Sequence, residues 1–283
     1  MITPLAERAG REETRAVGRM YASPESLTTR INIHDQYGSN SLSFQRWVVS
    51  LVEWQGDERV LDVGCGVGTY VPVVAPQLNA GAYVGVDNSA ELIERARSQS
   101  QDGRNVVFQV ADAHCLPFPD QTFDIILANH VLYHVRVHTA LREVSRLLKS
   151  NGKLLAATNS ERSMPELDAL HRIALKVQTP MPSAFHAFSL ESGRRLLSEF
   201  FGKVDMHTYE DTLRFRDPEP VVKYYASGWV YRTPEGTHDP SLARSEVGRR
   251  CQVVAEHVTK AIAKNSVFEL HKTSGLFVAS LLK

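Results

Sequence analysis

The strongest chemical signal in the chain is one run, Asp62-Val63-Gly64-Cys65-Gly66-Val67-Gly68-Thr69. Glycine has no Cβ, so a ligand can lie directly on the main chain of such a loop. If a helix follows, its free N–H groups attract a negatively charged group. Nineteen residues beyond Gly68 stands Asp87, close to the spacing at which an acid reaches ribose hydroxyls in nucleotide folds. The G-x-G-x-G spacing is one residue shorter than the dinucleotide pattern G-x-G-x-x-G. Asp62, immediately ahead of the loop, would repel a pyrophosphate and attract an ammonium group. A plain tight turn after an ordinary strand is the alternative. It leaves three glycines and two placed acids without a reason.

A second cluster is Asn129-His130-Val131-Leu132-Tyr133-His134-Val135-Arg136-Val137-His138. His130, His134 and His138 are four residues apart, a spacing that lets them share a helical face. Three readings compete: framework packing, a general base at His134 or at His130, and a metal site. The last is the least favoured, because no carboxylate or cysteine completes a ligand set. Farther along, His186 lies between Phe185 and Phe188, and Tyr224-Tyr225 begins an aromatic stretch with Trp229 and Tyr231. These side chains suit the wall of a pocket for an apolar or planar molecule. Packing is the competing reading for each of them.

The elements that must position these groups are legible as alternating texture. Apolar runs at 59–63, 82–86, 106–110, 123–128 and 153–158 suit strands buried on both faces of a parallel sheet. Helical patterns lie between them at 69–78, 91–99 and 138–148, and Asn151-Gly152 reads as a turn before the fifth strand. The alternation predicts a doubly wound α/β domain. Upstream, 5–20 and 43–54 read as helices and 31–40 as a loop. Downstream, 165–177 and 189–200 read as helices, the second capped by Ser189, and 203–215 as a strand. Residues 216–262 read as an insertion with helical content. Residues 267–282 read as a terminal hairpin turning at Lys272-Thr273-Ser274. The expected organisation is a helical lid at 1–57, a core at 58–160, a lid insertion at 161–188, core again at 189–215, a second lid insertion at 216–265 and an edge hairpin at 266–283.

Composition narrows the partners. The chain has 283 residues, with 32 Lys and Arg against 32 Asp and Glu, and a formal net charge of zero. That offers no electrostatic case for nucleic acid or an anionic membrane. Three cysteines without C-x-x-C spacing fit a reducing cytoplasm. No stretch approaches the roughly 18 apolar residues of a membrane span, and the charged N-terminal residues do not read as a secretory signal.

Taken in order, strand, D-V-G-C-G-V-G-T, helix, strand and acid resemble the first motifs of class I S-adenosylmethionine-dependent methyltransferases. The resemblance is to the small-molecule group that includes the ubiquinone and menaquinone methyltransferases, and it covers roughly residues 58–160. It implies a Rossmann-like seven-stranded sheet with an antiparallel edge strand and helical insertions. It places the methionine part of the cofactor against Asp62, Gly64, Gly66 and Gly68, and ribose on Asp87 with Asn88 beside it. Adenine falls beside Ala111-Asp112-Ala113, with Asp112 accepting from the adenine amino group. Asn129 and His130 face the methionine end, and Tyr37 in the upstream loop covers the cofactor. Leu116-Pro117-Phe118, Asp120 and Phe123-Asp124 match the family's texture. The implied reaction moves a methyl group to an O, N or C nucleophile of a small molecule, leaving S-adenosylhomocysteine. His134 or His130 would act as base and His186, Tyr224 and Tyr225 would line the acceptor. Two other readings stand beside it: a non-catalytic S-adenosylmethionine-binding protein, and a nicotinamide oxidoreductase. The second is disfavoured by the loop spacing and the lack of a Tyr-x-x-x-Lys pair. The acceptor, the pathway and the oligomeric state are not readable from the sequence.

Overall fold

A computed structural model of the chain describes residues 24–100 and 105–281. The helix expected over 5–20 lies outside the described residues. The remainder divides into two compact units.

The first, a sheet unit, comprises residues 42–160, 185–209 and 274–281 of the described chain. Its strands are β1 (Arg59–Val63), β2 (Ala82–Asp87), β3 (Val106–Val110), β4 (Phe123–Leu127) and β5 (Leu148–Asn159), with parts of β6 (Lys203–Phe215) and β7 (Phe268–Ser280). The seven-stranded order is β3-β2-β1-β4-β5-β7-β6. The pairings β1–β2, β1–β4, β2–β3 and β4–β5 are parallel, and β7 runs antiparallel to β5. Burial explains the choice of strands: β1 and β4 present Val60, Leu61, Ile126 and Leu127 with no exposed surface, which only a sheet covered on both faces allows. One cover is α5 (Val137–Leu147), whose Ala140, Leu141, Val144 and Leu147 recur at helical spacing and are buried with Phe123 and Ile126. The other face packs α2 (Phe44–Ser50), α3 (Val71–Val74) and α4 (Ala90–Gln99) through Val48, Val74, Ile93 and Ala96.

Two expectations about this sheet are corrected. Asn151-Gly152 is not a turn, because both residues lie inside β5. The register to β4 shifts there, from Phe123–Leu148 to Ile125–Lys153, and a Cβ on Gly152 would meet the Asp124 carbonyl at 2.8 Å. The Asn-Gly pair supplies a bulge. The terminal hairpin is instead one continuous strand, β7, which runs through Lys272-Thr273-Ser274. It lies between β5 and β6 and runs antiparallel to β5, which gives the sheet the antiparallel edge expected. The helix expected over 189–200 is a short α7 (Gly193–Leu197); Ser189 opens the turn before it, its hydroxyl accepting the Ser192 N–H at 3.1 Å.

The second, a helical unit, holds described residues up to Ser41 with 161–184 and 210–273. It contains α1 (Pro24–Tyr37), α6 (Pro165–Leu175), α8 (Pro218–Ala226) and α9 (Arg244–Asn265). Its core is Ile33, Leu167, Leu170, Val221, Tyr225, Val254 and Val258. Residues 31–37, expected as a loop, belong to α1. The polar sequence hid a helix whose Ile33 is buried in that core. Asp211 Oδ1 closes the helix end by accepting the N–H groups of Ser39 and Asn40 at 3.0 Å each. His171 is fully buried, its Nδ1 2.6 Å from the Tyr225 hydroxyl and its Nε2 3.2 Å from the Arg232 carbonyl. Burial pushes it down to about 4, so it is a neutral structural histidine. Among the described residues no helix is long and apolar enough to cross a membrane.

Candidate functional site

The parallel strands β3, β2, β1 and β4 release their carboxyl ends on one edge of the sheet. The order reverses between β1 and β4, the position at which open α/β sheets form a ligand crevice. Asp62 and the glycine loop follow β1, Asp87 ends β2, Ala111-Asp112 follow β3, and Asn129-His130 follow β4. Residues spread over about 70 positions of sequence are thus brought to one edge.

The loop adopts the backbone its glycines permit. Gly64, Gly66 and Gly68 have φ of 71°, 55° and 79°, in the left-handed region that disfavours side chains. Val86 anchors the loop, its carbonyl accepting the N–H groups of Gly64 at 2.8 Å and Cys65 at 3.0 Å. Phe108 from β3 packs against it, close enough that a Cβ on Gly68 would meet the ring at 3.1 Å. Asp87 ties the two strand ends together. Its Oδ2 accepts the Gly66 N–H at 3.1 Å and its Oδ1 the Ser89 N–H at 2.9 Å. Ser89 then caps α4. Burial raises the Asp87 carboxyl above its ordinary value, and the backbone N–H groups of Ser89, Gly66 and Asn88 pull the other way.

Asp62 is 2% exposed and accepts the Tyr83 hydroxyl at 2.5 Å. Burial pushes its carboxyl up to about 7; Tyr83 lowers it and the charge of Asp87 raises it. An acid with a raised folded-state pKa favours folding below its unfolded value, near 4, and loses that contribution as pH rises through about 7. In ligand-free protein Asp62 should therefore contribute a loss of stability between about pH 4 and 7, of the order of 4 kcal/mol. It is set against the gain that His171, lowered to about 4, gives over about pH 4 to 6.5. Asp62→Asn should remove the falling component from the profile. Parallel profiles for the two proteins would exclude a burial-raised Asp62.

Asp112 lies in the loop after β3, with its side chain 59% exposed. Its Oδ1 is 2.6 Å from His114 Nδ1 and accepts the His114 backbone N–H at 2.9 Å. The rest of this loop is held by α5. Glu143 Oε2 accepts the Leu116 N–H, and the Arg146 guanidinium donates to the carbonyls of Leu116 and Phe118 and to Asp120. His114, Glu143 and Arg146 escaped the sequence reading. The only available signal was a polar pair at i, i+3 on an otherwise amphipathic helix.

Asn129 is 8% exposed, and its Oδ1 accepts the Ala157 N–H at 3.1 Å. That bond fixes the amide orientation and leaves Nδ2, a buried donor, without a hydrogen-bond partner among the described residues. His130 has φ of 56°, a strained conformation for a residue with a side chain. Its ring packs 5.3 Å from Phe44 and 6.4 Å from Tyr133. Val131 covers Gly64. His134 lies in a single 3-10 turn, Leu132–His134, its ring 4.3 Å from Tyr133. The expectation that His130, His134 and His138 share a helical face is corrected. The first precedes the turn, the second is in it, and the third is an exposed residue of α5, 3.1 Å from Glu199. Phe185 stacks edge-on to Tyr133 at 5.0 Å, Phe188 is fully buried, and His186 between them is exposed.

The other expected site residues belong to the helical unit. Tyr37 ends α1, its ring 4.8 Å from Phe215. Tyr224 is 7% exposed with its hydroxyl 3.1 Å from His34 Nε2, and Tyr225 is fully buried against His171. In this structure both tyrosines are core residues of that unit, not surface groups.

Residues 61–156 match a family model described as a methyltransferase domain. The chain is 36% identical over 124 residues to an uncharacterized methyltransferase, YcgJ, of Bacillus subtilis, which covers 43% of this chain and 48% of that protein. It is 33% identical over 153 residues to the ubiquinone/menaquinone biosynthesis C-methyltransferase UbiE of Citrifermentans bemidjiense, covering 52% and 65%. The chain thus spans about half to two thirds of the length of these curated relatives. In fold it is similar to the crystal structure of a putative methyltransferase from an antibiotic biosynthesis pathway of Anabaena variabilis. The TM-score is 0.62 at 15% identity, over 84% of this chain and 96% of that one.

Proposed function

We propose, from the match of residues 61–156 to a methyltransferase-domain family and the likeness to a C-methyltransferase, that this chain binds S-adenosylmethionine and transfers its methyl group to a small molecule. The observation that carries the reading is the left-handed glycine loop after β1, latched through Gly66 to Asp87.

The residues present fit an amino-acid nucleoside. An ammonium beside Asp62 would draw its burial-raised carboxyl into the charged form, and the orphaned Nδ2 of Asn129 supplies a donor for a carboxylate or another acceptor. Gly64, Gly66 and Gly68 allow the ligand onto the main chain. Asp87 has lone pairs beyond those used by Gly66 and Ser89 for ribose hydroxyls, with exposed Asn88 beside it. Ala111, Asp112 and Ala113 would border the adenine, and His130 the methionine end. Tyr37 would cover the ligand. When bound, the cofactor supplies a methyl group already activated on a sulfonium. The protein's work is then mostly positioning, since the acceptor atom must lie in line with the departing sulfur. A base is needed only if the acceptor has a proton to lose. His134 is the residue proposed to take it at an imidazole nitrogen, with His130 the second choice. His186, Tyr224 and Tyr225 are proposed to contact the acceptor. For the two tyrosines, buried as they are, this requires the helical unit to open around them. Zero net charge supports a small acceptor over nucleic acid, and the reducing cytoplasm is the proposed compartment.

Titration calorimetry with S-adenosylhomocysteine and with NAD tests the cofactor. Binding of the first alone is expected, and binding of NAD alone would overturn the reading. For an acceptor with a labile proton, His134→Ala should lower turnover at least about 100-fold while leaving S-adenosylhomocysteine affinity within about twofold. Near-normal turnover would return His134 to a packing role.

A further inference from the structure

We propose that His114 is a positioning residue: it holds the Asp112 carboxylate in place to read the 6-amino group of adenine. The proposal rests on the reading that Asp112 borders the adenine. It adds a residue and a selectivity that the reading does not contain.

The bonding pattern fixes the state of the imidazole. The backbone N–H of Arg136 donates to His114 Nε2 at 2.9 Å. An amide N–H can only donate, so Nε2 carries no proton and Nδ1 carries it. Nδ1 faces Asp112 Oδ1 at 2.6 Å, so the ring donates to the carboxylate. The His114 backbone N–H reaches the same oxygen at 2.9 Å. Both bonds fall on Oδ1, and the lone pairs of Oδ2 are the remaining acceptors.

Exposure shows what the arrangement is for. The Asp112 side chain is 59% exposed, whereas that of His114 is 7% exposed. An exposed carboxylate samples several rotamers, and fixing one on binding costs affinity. Here the rotamer is set in advance by a buried ring. The loop backbone does not need His114 for this, because Glu143 and Arg146 already hold Leu116 and Phe118. What His114 adds is particular to Asp112 and to Arg136. Arg136 is the N-cap of α5 and lies two residues after His134. The imidazole therefore joins the segment assigned to adenine with the segment assigned to acceptor chemistry.

The test compares the affinities of S-adenosylhomocysteine and S-inosylhomocysteine, in which a carbonyl replaces the 6-amino group. A carboxylate that accepts from the amino group meets a second acceptor in the analogue. Wild-type protein should prefer S-adenosylhomocysteine by roughly tenfold or more. In His114→Ala the preference should fall to within about threefold. His114→Gln should restore it, because a Gln amide can donate to Asp112 and accept from Arg136. His114→Phe, which keeps a ring without nitrogens, is measured alongside so that the result does not hang on the folding of one variant; it should behave as His114→Ala. A preference that survives in folded His114→Ala or His114→Phe, or that His114→Gln does not recover, overturns the proposal. So does wild-type protein that binds both ligands equally. Wild-type protein that binds neither sinks the cofactor reading itself.

Discussion

Asp87→Ala is expected to weaken S-adenosylhomocysteine binding by about 2–4 kcal/mol, the loss of one or two charge-assisted hydrogen bonds. The size follows from the double duty of this carboxylate. It is assigned to the ribose hydroxyls, and it holds the glycine loop by accepting the Gly66 N–H at 3.1 Å and the Ser89 N–H at 2.9 Å. Alanine removes both roles together. Asp87→Asn separates them, since an amide oxygen can keep one backbone bond while the charge is lost. Burial raises the Asp87 carboxyl above its ordinary value, so keeping it ionised costs stability in the ligand-free protein. Asp87→Asn removes that cost but leaves one of the two backbone N–H groups facing an amide Nδ2 that cannot accept, so Tm should fall less than in Asp87→Ala while affinity falls. Affinity within about twofold of wild type in both variants would remove Asp87 from the ribose site.

Gly64→Ala is expected to abolish measurable S-adenosylhomocysteine binding and to cost about 3 kcal/mol of stability. Two independent penalties combine. The backbone at φ of 71° disfavours any side chain, by about 1–2 kcal/mol. The added Cβ would lie 2.5 Å from Val131 Cγ2 and 2.8 Å from its Cβ, so the segment carrying His130 and His134 must move. Val131→Ala added to Gly64→Ala removes the contact with Cγ2 but keeps the 2.8 Å contact with Cβ, so it relieves only part of the second penalty and none of the first. The double variant should regain less than half of the lost stability, as read by chemical denaturation. A single variant with wild-type Tm and affinity would show that neither the loop conformation nor its contact with Val131 matters.

Much of the chemistry is written locally, and local signals were readable. Strands β1, β3 and β6 have the bounds expected from their apolar or alternating runs, because burial on a sheet selects the same residues wherever the strand ends up. The glycine loop and Asp87 were readable for a related reason: left-handed backbone and close approach demand glycine, and a strand end of fixed length sets the spacing to the acid.

Pairing with distant segments was not readable. Residues 272–274 look like a hairpin turn, yet they continue β7, whose stretch from Ser274 to Ala279 pairs with Asn159 to Leu154 of β5. Asn151-Gly152 has turn chemistry that β4 converts into a bulge. Tyr224 and Tyr225 have the composition of a pocket wall. Only the packing of α1, α6, α8 and α9 decides that they are core. His114 makes the same point at the site. Nothing near it in sequence signals that Arg136, 22 residues on, supplies the N–H that sets its tautomer. The glycine positions and the spacing from them to Asp87 could be read from neighbouring residues alone. Tertiary structure alone decided which polar groups meet across strands and loops, because a hydrogen bond between distant residues exists only once the fold has closed the chain between them.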